Sequence, residues 1–419
     1  MKEYREIRKQ LSGPEASPYM GYARKVLGEM KNVMGLGGLQ QLRWVKDLKD
    51  GTRIVVTSVF GQDKVKVLVP VKAIKDKGVE MIRVKVQALV VVGNAFVKGP
   101  TYDVRRAWVW TGPGSIVNMG TLGDASSHSE AWGVSGDGSV VVGYATQTEF
   151  SGSRAFRWTT ASGMEAIAGA TSYAWGVSGD GSVIVGDIYP VVSSKAFRWT
   201  AKTGVEYIMA NESFARGVSE DGDVVVGFMQ VSGDTRAFRW THDTGAEDIL
   251  GTISAAYGVS ADGLVVVGAM GNTPFKWSVA GGLESLDMMG GSTGVAYGVS
   301  EDGSVVVGIV TISGQTRAVK WTLKGVERIA TIGERTNSAT AVSYDGDAVV
   351  GRIAIPGGGG VAYVVEGKGA PVLIETLGST FSGFFSATAF GVATPATYFK
   401  NHRVVSKLKH DTATRKVDE

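Results

Sequence analysis

One phrase, Gly-Val-Ser-x-Asp-Gly, constrains this chain more than any other feature. It begins at Gly133, Gly176, Gly217, Gly258 and Gly298, and a variant follows as Ala341-Val342-Ser343-Tyr344-Asp345-Gly346. A period of about 40 residues marks a repeat architecture in which each unit buries its apolar face only against its neighbours. Each phrase leads into a Val-rich run ending in Gly, at 140–143, 183–186, 224–227, 265–268, 305–308 and 348–351. An aromatic run closing on Trp comes next: Phe156-Arg157-Trp158, Phe197-Arg198-Trp199, Phe238-Arg239-Trp240, Phe275-Lys276-Trp277 and Val319-Lys320-Trp321. A short fourth run ends the unit, as at 164–167 and 205–208. Four short β-runs separated by Gly and Asp-Gly turns describe a propeller blade.

Counting strands sets the expected number of blades. Seven Val-rich runs are present, because 90–93 precedes the six above, and the aromatic and fourth runs also reach seven. The Gly-Val-Ser run appears only six times by residue 343. Its seventh copy is Phe390-Gly391-Val392-Ala393, at the far end of the chain. The reading is therefore an all-β chain: a seven-bladed propeller of four-stranded blades closed by a C-terminal strand. Closure of this kind leaves no unpaired edge. Gly and Ser suit the innermost strand, where blades converge. The repeated Asp reads as a turn residue with Gly supplying positive φ, since calcium loops need several oxygen ligands close together. The repeated Trp reads as packing.

Three stretches resemble a known family at this point. Ala155-Phe156-Arg157-Trp158-Thr159 and the equivalents at 196–200 and 237–241 lie between the Gly-Val-Ser-x-Asp-Gly copies. They look like the HAF family of bacterial extracellular repeats, over roughly residues 88–393. The resemblance implies a surface-exposed repeat with no catalytic activity. The chain departs from the family in its His, which is Arg154, Lys195, Arg236 or Arg317 here.

Charge divides the chain into three. Residues 1–87 carry 18 Lys and Arg against 9 Asp and Glu, and 88–399 carry 19 against 28. The remaining 400–419 carry 6 against 3. The expected domains are a basic α+β docking domain at 1–87, the propeller at 88–399 and a basic polar tail at 400–419. In the first, Ser17-Pro18 starts a helix whose apolar face runs through Tyr19, Tyr22, Val26 and Met30. Strands follow in which Lys64, Lys66, Arg83 and Lys85 alternate with apolar residues. These eight residues are the expected docking surface for a larger assembly. A degenerate eighth blade over 42–86 is the alternative.

The candidate binding residues sit one place ahead of the repeat phrase: Trp132, Trp175, Arg216, Tyr257, Tyr297 and Phe390, with Thr340 at the same position. They either pack between blades or rim a site for a cell-surface glycan or protein. No catalytic residue, cofactor or metal is expected: the four His are scattered, Cys is absent, and Gly357–Gly360 lacks the Lys-Ser/Thr of a phosphate loop. No nucleic-acid motif accompanies the basic residues, and no run is long and apolar enough for a membrane helix. The first residues are charged, without the apolar core of a secretory leader. The expectation is a non-catalytic binding and assembly protein, best placed as a phage virion component. A bacterial surface lectin-like adhesin and a glycoside-processing enzyme are the alternatives.

Overall fold

The computed structural model describes residues 89–374 apart from 100–102, 113–114, 149–150, 170, 191–192, 330–334 and 356–358. It also describes 387–393 and the strands 39–47, 53–59, 66–72, 79–87 and 398–405. The chain divides into two compact units: Val90–Thr394, and Met1–Leu89 with Pro395–Glu419.

The larger unit is a β-propeller of seven four-stranded antiparallel blades. Blade two runs outward through Ser129–Val134, Val141–Ala145, Arg154–Thr159 and Gly163–Ala166. Blade three repeats this with Thr171–Val177, Val183–Tyr189, Lys195–Thr200 and Gly204–Tyr207. Blades six and seven start at Thr293–Val299 and Asn337–Val342. Blades four and five share one strand: Gly245–Val259 is the outer strand of the first and the inner strand of the second. The sequence gives no sign of that continuity, because Gly251-Thr252 reads as a break.

Blade one is built from both ends of the unit. Ala387–Ala393 pairs antiparallel with Val90–Lys98, which pairs with Asp103–Trp110 and then Val117–Asn118. The late strand packs against the inner strands of blades two and seven, so the ring closes. The core lies between blades, not within them. Val140, Val142 and Ala155 of blade two meet Ala174, Ile184, Ile188 and Phe197 of blade three in one cluster, and the other interfaces between consecutive blades from one to seven repeat that arrangement.

The repeat phrase explains itself in hydrogen bonds. In the blade-three turn, Ser178 Oγ donates to Asp180 Oδ1 at 2.8 Å and accepts from Val183 N at 2.9 Å. The same Asp oxygen accepts from Ser182 N, while Gly181 takes φ 74°. Hydrogen bonds of this kind, also from Ser135 and Ser139, hold the Asp137 carboxyl below its ordinary range although burial opposes them. The variable residue of the phrase belongs to a belt running from blade to blade: Gly179 N donates to Glu220 O, Glu220 N to Ala261 O, Ala261 N to Glu301 O and Glu301 N to Tyr344 O.

A second inter-blade link is a clasp. The hydroxyls of Ser129, Ser172, Ser213 and Ser254 accept from the backbone N–H of Ala107, Ala155, Ala196 and Ala237 in the preceding blade. Asn337 does the same for Ala318. Between blades seven and one the acceptor position is Ala387, which has no side-chain oxygen. Between blades five and six both partners change together: the donor position is Pro274, which has no N–H, and the acceptor position is Gly294. A Cβ on Gly294 would lie 2.9 Å from Pro274 Cδ. We expect Gly294→Ser alone to destabilise the chain and Pro274→Ala with Gly294→Ser to stabilise it by about 1 kcal/mol, the net worth of one hydrogen bond. A double-mutant cycle by chemical denaturation checks the coupling.

The smaller unit contains a five-stranded antiparallel sheet in the order Leu39–Asp47, Arg53–Val59, Lys66–Lys72, Val79–Gln87, Tyr398–Val405. The beginning of the basic polar tail read from residue 400 supplies the last strand of this sheet. Tyr398, Phe399, Val404 and Val405 supply β-forming residues at both ends of the segment, and it pairs along its length with Val79–Val86. The helix expected after Ser17, with Tyr19, Tyr22, Val26 and Met30, lies outside the described residues, as does Lys64. Lys66 opens its strand, and Arg83 and Lys85 stand two apart on theirs, opposite Asn401 and Phe399. Among the described residues no helix is long and apolar enough to cross a membrane.

Candidate binding site at the channel mouth

Each inner strand carries the same irregularity. Its pairing with the second strand skips one residue, between Ala131 and Gly133, Ala174 and Gly176, Ala215 and Gly217, Ala256 and Gly258, Ala296 and Gly298, Ala339 and Ala341, and Ala389 and Gly391. The skipped residues are Trp132, Trp175, Arg216, Tyr257, Tyr297, Thr340 and Phe390, the candidate positions of the sequence. A β-bulge leaves its extra residue out of the ladder and re-aims it. Here seven bulges set seven side chains around the axis. The glycine ending each Val-rich run makes room for the kink: a Cβ on Gly186 would fall 1.9 Å from Tyr173 O, and one on Gly227 2.0 Å from Phe214 O.

A cavity of about 250 Å³ lies on the axis, lined by Trp132, Tyr257, Tyr297, Thr340, Phe390 and the inner-strand glycines. Trp175 and Arg216 do not line it. They belong to a stacked column in the same ring. Trp132 lies on Trp175 with centroids 3.8 Å apart and planes 11° off parallel. The Arg216 guanidinium covers Trp175 at 4.2 Å and also sits over Phe228 at 4.9 Å. Tyr144 packs on Trp132 at 4.9 Å. Trp132 and Trp175 therefore pack between blades, and the faces of Trp175 are taken by Trp132 and Arg216. Tyr257 and Tyr297 form a looser pair at 5.5 Å, and neither hydroxyl has a hydrogen bond to a described residue. Burial pushes both phenols up; Arg216 opposes this at Tyr257, and Tyr257 reinforces it at Tyr297.

Two buried carboxylates anchor the column. Asp187, 3% exposed, accepts from Trp175 Nε1 at 2.6 Å and Arg216 Nη1 at 2.7 Å. Burial outweighs this pairing, pulling the Asp187 carboxyl above its ordinary value and the Arg216 guanidinium below its own. Glu130, 5% exposed, accepts from Asn94 Nδ2 and the Tyr144 hydroxyl at 2.7 Å each, from Trp132 Nε1 at 3.3 Å, and from Arg105. Burial, then the charge of Glu130, pushes the Tyr144 phenol well above its usual range. Sequence reasoning missed Glu130, Asp187, Asn94, Arg105 and Tyr144. One signal was available: the residue after each second-strand glycine reads Asn94, Tyr144, Asp187, Phe228, Ala269, Ile309 and Arg352, so four of the five polar or aromatic members fall in blades one to four.

The Asp-Gly turns follow directly after the inner strands and carry Glu220 and Glu301, whose carboxyls burial and neighbouring carboxylates push up. Among the described residues no group of three or more His, Asp and Glu is placed to hold a metal ion.

The fold and this axial site define a β-propeller protein. No family model matches the chain, and no curated protein matches it in sequence. Solved propeller structures do resemble it. A prolyl endopeptidase aligns with a TM-score of 0.50 at 11% identity, over 91% of this chain and 56% of its own. TolB from Acinetobacter baumannii aligns at 0.43 and 12%, over 73% and 82%, and the β-propeller domain of the Trilobed protease from Pyrococcus furiosus at 0.44 and 14%, over 60% and 84%. At such identities the likeness is one of fold.

Proposed function

We propose that this chain is a non-catalytic binding and assembly protein whose channel mouth recognises a cell-surface glycan or protein. The observation that carries this reading is the contrast between scaffold and bulge. Turn, clasp and core repeat from blade to blade, while the seven bulged positions hold Trp, Trp, Arg, Tyr, Tyr, Thr and Phe. A frame that stays constant while its inward positions diverge suits recognition. The carboxylates support the same reading. Asp187 and Glu130 are engaged by fixed donors, so neither has the freedom of a general acid or base. Tyr257 and Tyr297 offer two hydroxyls without described partners, beside Thr340 and Phe390.

Within this class we place the protein in a phage particle, joined to it through the basic residues of the first 87. The HAF-like repeat, an exposed module by resemblance, and the charge division between 1–87 and 88–399 support that placement. Labelled protein should bind host cells, and Tyr257→Ala with Tyr297→Ala should weaken binding about tenfold, the equivalent of one or two hydrogen bonds. The melting temperature should stay near that of the parent. Mass spectrometry of gradient-purified particles should find the chain. Its recovery from the host envelope instead would make it an adhesin, and depolymerisation of a polysaccharide by the purified protein would overturn the non-catalytic reading.

A further inference from the structure

A second site lies away from the channel. The third strands of blades two to six carry a cation just before the position of the repeated Trp: Arg157, Arg198, Arg239, Lys276 and Lys320. Four of them reach the next blade and donate to the glycine carbonyl of its Asp-Gly turn. Arg198 Nε meets Gly222 O at 3.4 Å, Arg239 Nε Gly263 O at 3.2 Å, Lys276 Nζ Gly303 O at 2.8 Å and Lys320 Nζ Gly346 O at 2.9 Å. Arg157 departs from the pattern. Gly181 occupies the corresponding turn, yet Arg157 makes no hydrogen bond or ion pair with any described residue. It does not pair even with Glu165, its register partner on the outer strand.

At this unmade link a cavity of about 790 Å³ opens between blades two and three. Its lining includes Arg157, Glu165, Gly181, Arg198, Trp199 and Lys202. That volume falls in the range of small-molecule sites. The geometry points to a binding groove for an acidic saccharide, with Arg157 as the group that receives its anion. A guanidinium presents paired N–H donors to a planar carboxylate, Lys202 adds positive charge, and Trp199 supplies the apolar surface that a sugar ring packs on. Glu165 is exposed and free to accept from sugar hydroxyls. Asp221, also in the lining, is held in its own turn by Ser219 Oγ and Asp223 N. Two carboxylates beside the cations disfavour a multiply charged phosphate and select a singly charged ligand.

The test uses the full chain with glucuronic acid, glucose as its neutral parent and inorganic sulfate as competitor, read by ligand-observed saturation-transfer NMR. Glucuronate should bind saturably, with glucose about tenfold weaker or more, as expected when a charge-assisted contact is lost. Sulfate, a dianion, should compete poorly, and sulfate that competes as well as glucuronate overturns the selection of a singly charged carboxylate sugar. Arg157→Ala should lose the preference for glucuronate over glucose without lowering the melting temperature, whereas Arg239→Ala, which removes a real inter-blade link, should lower it. Tyr257→Ala with Tyr297→Ala should leave glucuronate binding intact, which separates this groove from the channel. The proposal is overturned if glucuronate and glucose bind alike, if neither saturates, or if the tyrosine pair abolishes binding. Parental binding by Arg157→Ala overturns it too, as does a fall in melting temperature matching that of Arg239→Ala.

Discussion

A chain ending at Phe385 should lose its cooperative propeller transition and aggregate, whereas one ending at Thr394, which of the described strands loses only Tyr398–Val405 of the smaller unit, should keep its propeller transition. The two differ by the strand Ala387–Ala393. That strand satisfies the open side of Val90–Lys98 and packs against the inner strands of blades two and seven. Without it, the ladder groups of an almost wholly buried strand face water or another chain, the usual template for edge-to-edge association. The nearest apolar cluster also loses Ala393, which packs with Val90, Val92, Ala131 and Val141. Because the strand comes from about 300 residues away in sequence, closing the ring is a late, non-local event, and its loss costs cooperativity as well as contacts. Adding a peptide of residues 386–394 in trans should recover part of the soluble fraction. A Phe385-terminated protein that stays monomeric and melts as the parent does would show that the ring does not depend on this closure.

The second large effect concerns the buried pair. Asp187→Asn should destabilise the protein by about 3–5 kcal/mol, because it leaves the Arg216 charge buried without its counter-ion. The amide oxygen can still accept from Trp175 Nε1, so the loss measures the charge and not the hydrogen bond to the ring. Combining it with Arg216→Met should recover most of that loss. A methionine keeps the apolar contact with Trp175 and Phe228 and removes the ion that burial penalises. This follows from the directions of titration: burial outweighs pairing at both residues, so the pair as a unit gains little over an apolar replacement. Equilibrium denaturation of the two single variants and the double variant gives the coupling. A single-variant loss within about 1 kcal/mol would mean that Arg216 is solvated, as surface ion pairs are.

Much of this architecture was legible in the residues because its signals are local. Asp-Gly marks a turn whether or not its partner strand is known, and a short continuous Val-rich run reads as a strand without long-range information. The closing strand was legible for a different reason: a missing seventh copy must be found somewhere, and Phe390-Gly391-Val392-Ala393 matches the pattern. The bulge was not legible. It exists in the register between two strands, and a sequence does not display register. Its trace is the glycine at Gly143, Gly186 or Gly227, which read as the end of a strand and is in fact its point of closest approach. Glu130 and Asp187 were passed over because a single charge within a strand looks like an outward residue of an alternating pattern. The groups that hold them, Arg105 and Arg216, lie 25 and 29 residues away on other strands. Pro274 and Gly294 were visible exceptions to the repeat, but their joint meaning required the clasp to be known. The docking residues at Tyr19, Tyr22, Val26, Met30 and Lys64 lie outside the described residues.

The shared strand Gly245–Val259 has a mechanical consequence. At the other described joins between blades the chain leaves the outer strand and crosses to the next inner strand through residues outside both, and each such passage is a pivot. Here the strand keeps partners on both sides: Gly245–Asp248 pairs with Phe238–Thr241 and Ile253 with Arg236, across a register shift, before Ser254–Val259 pairs with Val266–Met270. The link of Arg236 Nη1 to Asp248 Oδ2 at 3.0 Å, beside Ile253, braces the bend between them. Blades four and five thus form a splinted leaf in which a braced bend takes the place of a free loop. Breathing of the wheel is pushed to its other spokes, toward the seam where the two ends of the ring are stitched together.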